Sequence, residues 1–162
     1  MSVQAKRRAD YQLPAFSIAT VDLHITLHPT QTKVISTLSV TRNGAHDSPL
    51  VLDGDNLSLD SISINGTHLS DNEYTVTDSA LSVVTELDEF VLEIANTIAP
   101  EHNKALEGLY LSGGAYCTQC EAEGFRRITY FMDRPDVLSV YTVTVVADKS
   151  VPMLLANGNP VD

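Results

Sequence analysis

The chain has 162 residues, enough for one domain with a sizeable core, since a chain of this size buries roughly 70% of its unfolded surface. Its hydrophobic fraction of 43% and charged fraction of 19% are globular values, and no stretch reaches the ~20 apolar residues that span a bilayer. Twenty-one acidic against ten basic residues leave a net charge of -11; that charge repels a phosphate backbone, and the basic residues are scattered, so neither nucleic acid nor membrane is expected as a partner.

Lys6, Arg7 and Arg8 sit near the start, but residues 11–19 are broken by Pro14 and polar groups and form no apolar signal core, so the expected compartment is cytoplasmic. Val21, Leu23, Ile25 and Leu27 then fall on every second position, the pattern of a half-buried strand. After turn residues at 29–32 the alternation resumes with Val34, Ser36, Leu38 and Val40 and ends at Asn43-Gly44, which predicts a hairpin partner. Short β-type runs follow at 50–52, 57–64, 74–76, 81–85 and 90–94, separated by Asp53-Gly54, Asn65-Gly66 and Asp71-Asn72. Residues 101–107 could form a helical turn, and the three glycines within 108–115 suit a loop over the sheet edge. The best helix candidate is 121–131, stopped at Asp133-Arg134-Pro135 because the residue before a proline is pushed from helical angles. Strand alternation returns over 140–146, and 153–155 reads as a last short strand. Many short, mostly antiparallel strands with one short helix near 121–131 predict an all-β sandwich.

Motifs for self-contained catalysis are missing from the sequence: it has no G-x-S-x-G elbow, phosphate loop or G-x-G-x-x-G turn. His24 and His28 are four apart, as in a helical zinc motif, but on a strand they stand roughly 13 Å apart. His46, His68 and His102 fall in turns and are expected to be solvated, so no metal site is expected in this chain. Cys117 and Cys120 are too few for a disulfide framework or a structural zinc site. A redox pair would want a thiolate at a helix start within a βαβ unit, and Glu121 beside them would raise a thiol pKa. More informative is Thr118-Gln119-Cys120-Glu121-Ala122-Glu123-Gly124-Phe125-Arg126, which crowds a Gln, two Glu and an Arg at the start of the expected helix. Such groups either face a cleft or, in the plainer reading, cap the helix and oppose its dipole.

At these residues the sequence resembles the bacterial aminopeptidase N family. The resemblance runs from Arg8 and Asp10-Tyr11 through 105–110, 117–126, 128–130 and 133–137 to Leu154-Leu155-Ala156-Asn157-Gly158-Asn159, nearly the whole chain. It implies a saddle-like amino-terminal β-sandwich, one domain over 1–162, that precedes a thermolysin-like zinc domain. Within it, Glu121 matches the carboxylate that binds the substrate's free α-ammonium, and Gln119 matches the glutamine lining the first side-chain pocket. An exopeptidase must read a positive charge at a fixed distance from the scissile carbonyl, and a carboxylate does so by charge-assisted hydrogen bonds. Arg126, Asp133 and Pro135 also match and are read as structural supports. The family's G-x-M-E-N loop, its H-E-x-x-H motif and its transition-state tyrosine do not occur here, so no catalytic residue and no cofactor is expected in this chain, while zinc belongs to the parent enzyme. The implied partners are a peptide amino terminus and a downstream catalytic domain. Two other readings stay open: a stand-alone peptide- or protein-binding module, and a redox protein using Cys117 and Cys120.

Overall fold

The computed structural model describes residues 7–161; Lys6 and the outermost ends of the expected 1–162 domain lie outside the described residues. The described chain is all-β. Strands β1 (Phe16–Thr26), β2 (Thr32–Arg42), β3 (Leu50–Asp53), β4 (Ser58–Ile64), β5 (Thr67–His68), β6 (Tyr74–Val76), β7 (Ala80–Val83), β8 (Glu89–Ile98), β9 (Gly108–Ser112), β10 (Ala115–Gln119) and β11 (Val140–Val146) follow in order. A six-stranded sheet runs β11-β1-β2-β8-β4-β5, a three-stranded sheet runs β3-β7-β6, and β9 and β10 form a separate hairpin. All pairings are antiparallel except β1 with β11.

The apolar alternation read from the sequence is the core. Val21, Leu23 and Ile25 of β1, Val34, Leu38 and Val40 of β2, and Phe90, Leu92, Ile94 and Ile98 of β8 are buried with Leu50, Leu52, Leu81 and Val83 of the smaller sheet in one continuous cluster. Strand β1 begins at Phe16 rather than 21 because a bulge between Ile18 and Thr20 shifts the alternation by one residue, hiding Phe16 and Ile18 from a period-two count. The β1–β2 turn is closed by His28, whose Nδ1 accepts from the backbone N–H of Thr30 (3.2 Å) and of Gln31 (3.1 Å).

Several expectations need correction. Residues 108–115 are not a loop: β9 and β10 pair from Gly108↔Gln119 to Ser112↔Ala115, turning at Gly113-Gly114, both at positive φ. The helical turn expected over 101–107 is confined to the 3-10 turn Pro100–His102. No strand forms at 153–155, where the backbone runs without a partner. His46 is not simply solvated; its ring packs edge-on against Phe16 at 5.3 Å and its Nε2–H reaches the carbonyl of Ala15 at 2.7 Å.

The expected helix over 121–131 is replaced by a turn and the three-residue 3-10 helix Phe125–Arg127. Ile128, Thr129, Tyr130, Phe131 and Met132 are buried in succession, which one face of a helix cannot achieve. The segment runs into the core instead and borrows backbone partners from β3: Asp53 N–H donates to Phe131 O at 2.7 Å and Phe131 N–H to Asp53 O at 3.1 Å.

Candidate functional site

Residues 119–123 leave the end of β10 as an exposed polar loop, and the chain around them is held down at every point of departure. Gly124 N–H closes the turn onto Cys120 O at 2.9 Å. A Cβ at Gly124 would come within 2.3 Å of Gln119 O and 2.9 Å of Cys120 Cα, and one at Gly108 within 2.6 Å of Arg127 Cβ. The two glycines thus let the hairpin and the 124–127 turn pack backbone to backbone.

Gln119 and Glu121 are brought together. Gln119 Nε2 donates to the backbone carbonyl of Glu121 at 3.2 Å, both side chains are solvent-accessible, and the Glu121–Ala122 peptide is cis. Since no helix of usable length follows, the reading of Glu121 and Glu123 as dipole-opposing caps falls away.

Arg126 is the hub beneath the loop. Its Nε donates to Asp133 Oδ2 at 3.0 Å, its Nη2 to Asp133 O at 3.0 Å and its backbone N–H to Asp133 Oδ2 at 3.2 Å. Asp53 and Glu123 carboxylates lie 3.7 Å from the same guanidinium. Burial alone would lower the Arg126 pKa; the hydrogen bond to Asp133 and the charges of Asp53, Asp133 and Glu123 outweigh it and hold the guanidinium above its ordinary value. Pro135 is the second residue of the turn that Val137 N–H closes onto Arg134 O at 3.2 Å, a position its fixed φ suits.

Sequence reading missed the partners that complete this support. Asp53 Oδ2 accepts from Asp133 N–H at 3.0 Å. Arg127 pairs with Asp55 at 2.7 Å and Glu107 at 3.1 Å. Asp136 accepts from Tyr11 Oη at 2.9 Å and pairs with Arg134 at 2.7 Å, while Arg134 also donates to Gln12 O at 3.0 Å. Only the glycines at 54, 108 and 124 signalled such close approaches.

The cysteines remain free thiols. Burial, then the charge of Asp133, push the Cys120 thiol up; exposed Glu121 is not the cause, and a raised thiol is poorly suited to redox exchange. Among the described residues no three His, Cys, Asp or Glu side chains gather as metal ligands, so these residues do not fit a zinc ion. A cavity of about 880 Å³ opens between Gly54, Leu57, Val76, Thr97 and Tyr130, away from the 119–123 loop, and includes neither Gln119 nor Glu121. No helix among the described residues is long and apolar enough to cross a membrane.

Comparison with known proteins converges on one family. The family model for the peptidase M1 N-terminal domain matches residues 11–162. Aminopeptidase N of Caulobacter vibrioides is 54% identical over 158 residues, 98% of this chain and 18% of that protein. Aminopeptidase N of Escherichia coli is 46% identical over 162 residues, with the same shares of 98% and 18%. The crystal structure of Legionella pneumophila aminopeptidase A in complex with aspartic acid superposes with a TM-score of 0.79 at 33% identity, covering 86% of this chain and 17% of that one. An M1 zinc metallopeptidase from Deinococcus radiodurans shares the fold at a TM-score of 0.70 and 21% identity, over 84% of this chain and 33% of that one. The chain thus spans 18% of the length of the aminopeptidase N relatives it matches.

Proposed function

Since the chain belongs to the peptidase M1 N-terminal domain family, we propose that it supplies the substrate-anchoring part of a zinc-dependent aminopeptidase that releases amino-terminal residues from peptides. In this reading Glu121 holds the substrate's α-ammonium by charge-assisted hydrogen bonds, and Gln119 lines the pocket for the first side chain. The zinc, its ligands and the catalytic groups come from a catalytic domain outside these residues, and the protein works in the cytoplasm. The observation that carries the reading is the joining of Gln119 to Glu121 on an exposed loop whose base is fixed by the Arg126–Asp133 pairing. Gln119 thereby holds the Glu121 backbone and leaves its exposed carboxylate open to an ammonium group, as an anchor set at one distance from the scissile bond requires. Arg126, Asp133 and Pro135 then act as supports, not as groups that touch substrate.

Two measurements test it. The 162-residue chain, freed of contaminating peptidase and supplied with zinc, should bind no stoichiometric metal and should not hydrolyse an alanyl chromogenic amide. In the longer enzyme, Glu121→Gln should weaken kcat/KM for peptides at least tenfold, about 1.4 kcal/mol, and should weaken inhibition by ligands with a free amine more than by their N-acetylated forms. Turnover by the chain alone, or unchanged kinetics on Glu121→Gln, overturns the proposal.

A further inference from the structure

The cavity of about 880 Å³ lies where the two sheets part, between the 54–57 connection after β3, the β6–β7 turn and the end of β8. That volume is of the size that small-molecule sites have. Its walls are tied together by backbone: Gly54 N–H donates to Ser79 O at 3.0 Å, and Thr77 N–H to Ala80 O at 2.8 Å. Leu57, Ile98 and the Tyr130 ring give it an apolar floor, and Gly54 admits that ring, since a Cβ there would stand 2.3 Å from it. Tyr130 is only 2% exposed, yet its hydroxyl hydrogen-bonds to none of the described residues and lines the cavity instead. A buried phenol ordinarily finds a partner. Burial also pushes the Tyr130 pKa up, so the group is a neutral hydroxyl that can accept a hydrogen bond. Two carboxylates stand on the rim. Asp55 is already paired with Arg127 at 2.7 Å, whereas Asp78 has no ion-pair or hydrogen-bond partner among the described residues. No lysine or arginine lines the cavity, and its one basic group is the exposed ring of His102.

We propose that this cavity binds a small primary amine with an apolar body, its ammonium group held by the Asp78 carboxylate and the Tyr130 hydroxyl and its body resting on Leu57 and Ile98. An ammonium is a pure donor, and both groups accept from it; the bond to a carboxylate is the stronger for being between charges. The apolar body takes the floor out of water. An anion of the same shape would meet Asp55 and Asp78 with no lysine or arginine to offset them, on a chain of net charge -11. A neutral alcohol could bond to Tyr130 but would forgo the charge. The cavity includes neither Gln119 nor Glu121, so the inference stands or falls separately from the anchoring role.

Two-dimensional amide NMR of the labelled 162-residue chain, titrated with phenethylamine, decides it. The Glu121→Gln chain is titrated alongside, because an amine held at that loop would shift residues 119–123 and not the cavity. The expected result is saturable shifts at Gly54, Leu57, Thr77 and Asp78, the same in both chains, with a dissociation constant on the order of 1 mM. Phenylacetate at equal concentration should leave those residues unmoved. Asp78→Asn, at an exposed position, should weaken binding at least about fivefold, and Tyr130→Phe, which keeps the ring, at least about twofold. Shifts confined to 119–123 that vanish with Glu121→Gln overturn the proposal. So does equal binding of phenylacetate, or an affinity unchanged by either cavity substitution.

Discussion

Gly124 shows how much of the candidate site hangs on a missing side chain. With Gln119 O 2.3 Å and Cys120 Cα 2.9 Å from where its Cβ would stand, a methyl meets backbone that cannot swing aside. Gly124→Ala is expected to cost more than about 2 kcal/mol, read as a fall in the urea midpoint at unchanged slope. A second residue-scale effect sits at the Tyr11–Asp136–Arg134 contact. The Arg134 hydrogen bond, then that of Tyr11, hold the Asp136 carboxyl at about 2, below its ordinary 3.8. A carboxylate depressed on folding stabilises the protein above its unfolded pKa, and the effect is lost as pH falls through the folded value. Solvent screening keeps it below about 1 kcal/mol. Asp136→Asn should therefore flatten the loss of stability between pH 4 and pH 2, and leave the slope between pH 6 and pH 8 unchanged, in denaturant titrations across those ranges.

The segment after β10 is pinned to the main sheet by polar contacts inside the core. Ser36 of β2 and Thr129 share a hydroxyl hydrogen bond at 3.1 Å, and Asn96 of β8 donates to Ile128 O at 3.0 Å, all with fully buried side chains. Asn96 Oδ1 has no protein partner, so this region is already short of hydrogen bonds. Thr129→Val leaves the Ser36 hydroxyl without its partner and should destabilise by about 1–3 kcal/mol. The double change with Ser36→Ala should recover part of that loss, because no buried hydroxyl is then stranded. Thermal or urea unfolding of the four proteins measures the coupling. The strands themselves were readable because alternation of apolar and polar residues has one structural meaning. The hairpin at 108–119 was not, because its glycines resemble a loop until the partner strand is in place.

At the scale of the molecule, both sheets contribute to one hydrophobic cluster, and the 128–132 run inserts into it. Neither sheet can keep its inner face covered without the other, so unfolding should be cooperative. With no tryptophan and six tyrosines, tyrosine fluorescence reports on buried Tyr130 and half-buried Tyr74, Tyr110 and Tyr116 together, and its urea transition should coincide with that of far-UV circular dichroism. Separate midpoints would show that the smaller sheet or the site segment melts independently.

Most strands of the two larger sheets, the core faces of β1 and β2, and the crowding of Gln119, Glu121 and Arg126 were legible in the sequence, since period-two burial and local polar clustering are properties of neighbouring residues. Tertiary structure alone decided the rest. Asp53 meets Asp133 and Arg126 across roughly eighty positions of chain, and the parallel docking of β11 on β1 brings together residues more than a hundred positions apart. The same long-range pairing turned the expected helix into an inserted segment: of five consecutive buried residues, Phe131 found backbone partners on β3, Thr129 a hydroxyl on β2 and Ile128 an amide donor on β8, which no local pattern could announce. Local sequence favoured a helix after Glu121, and core burial outweighed it.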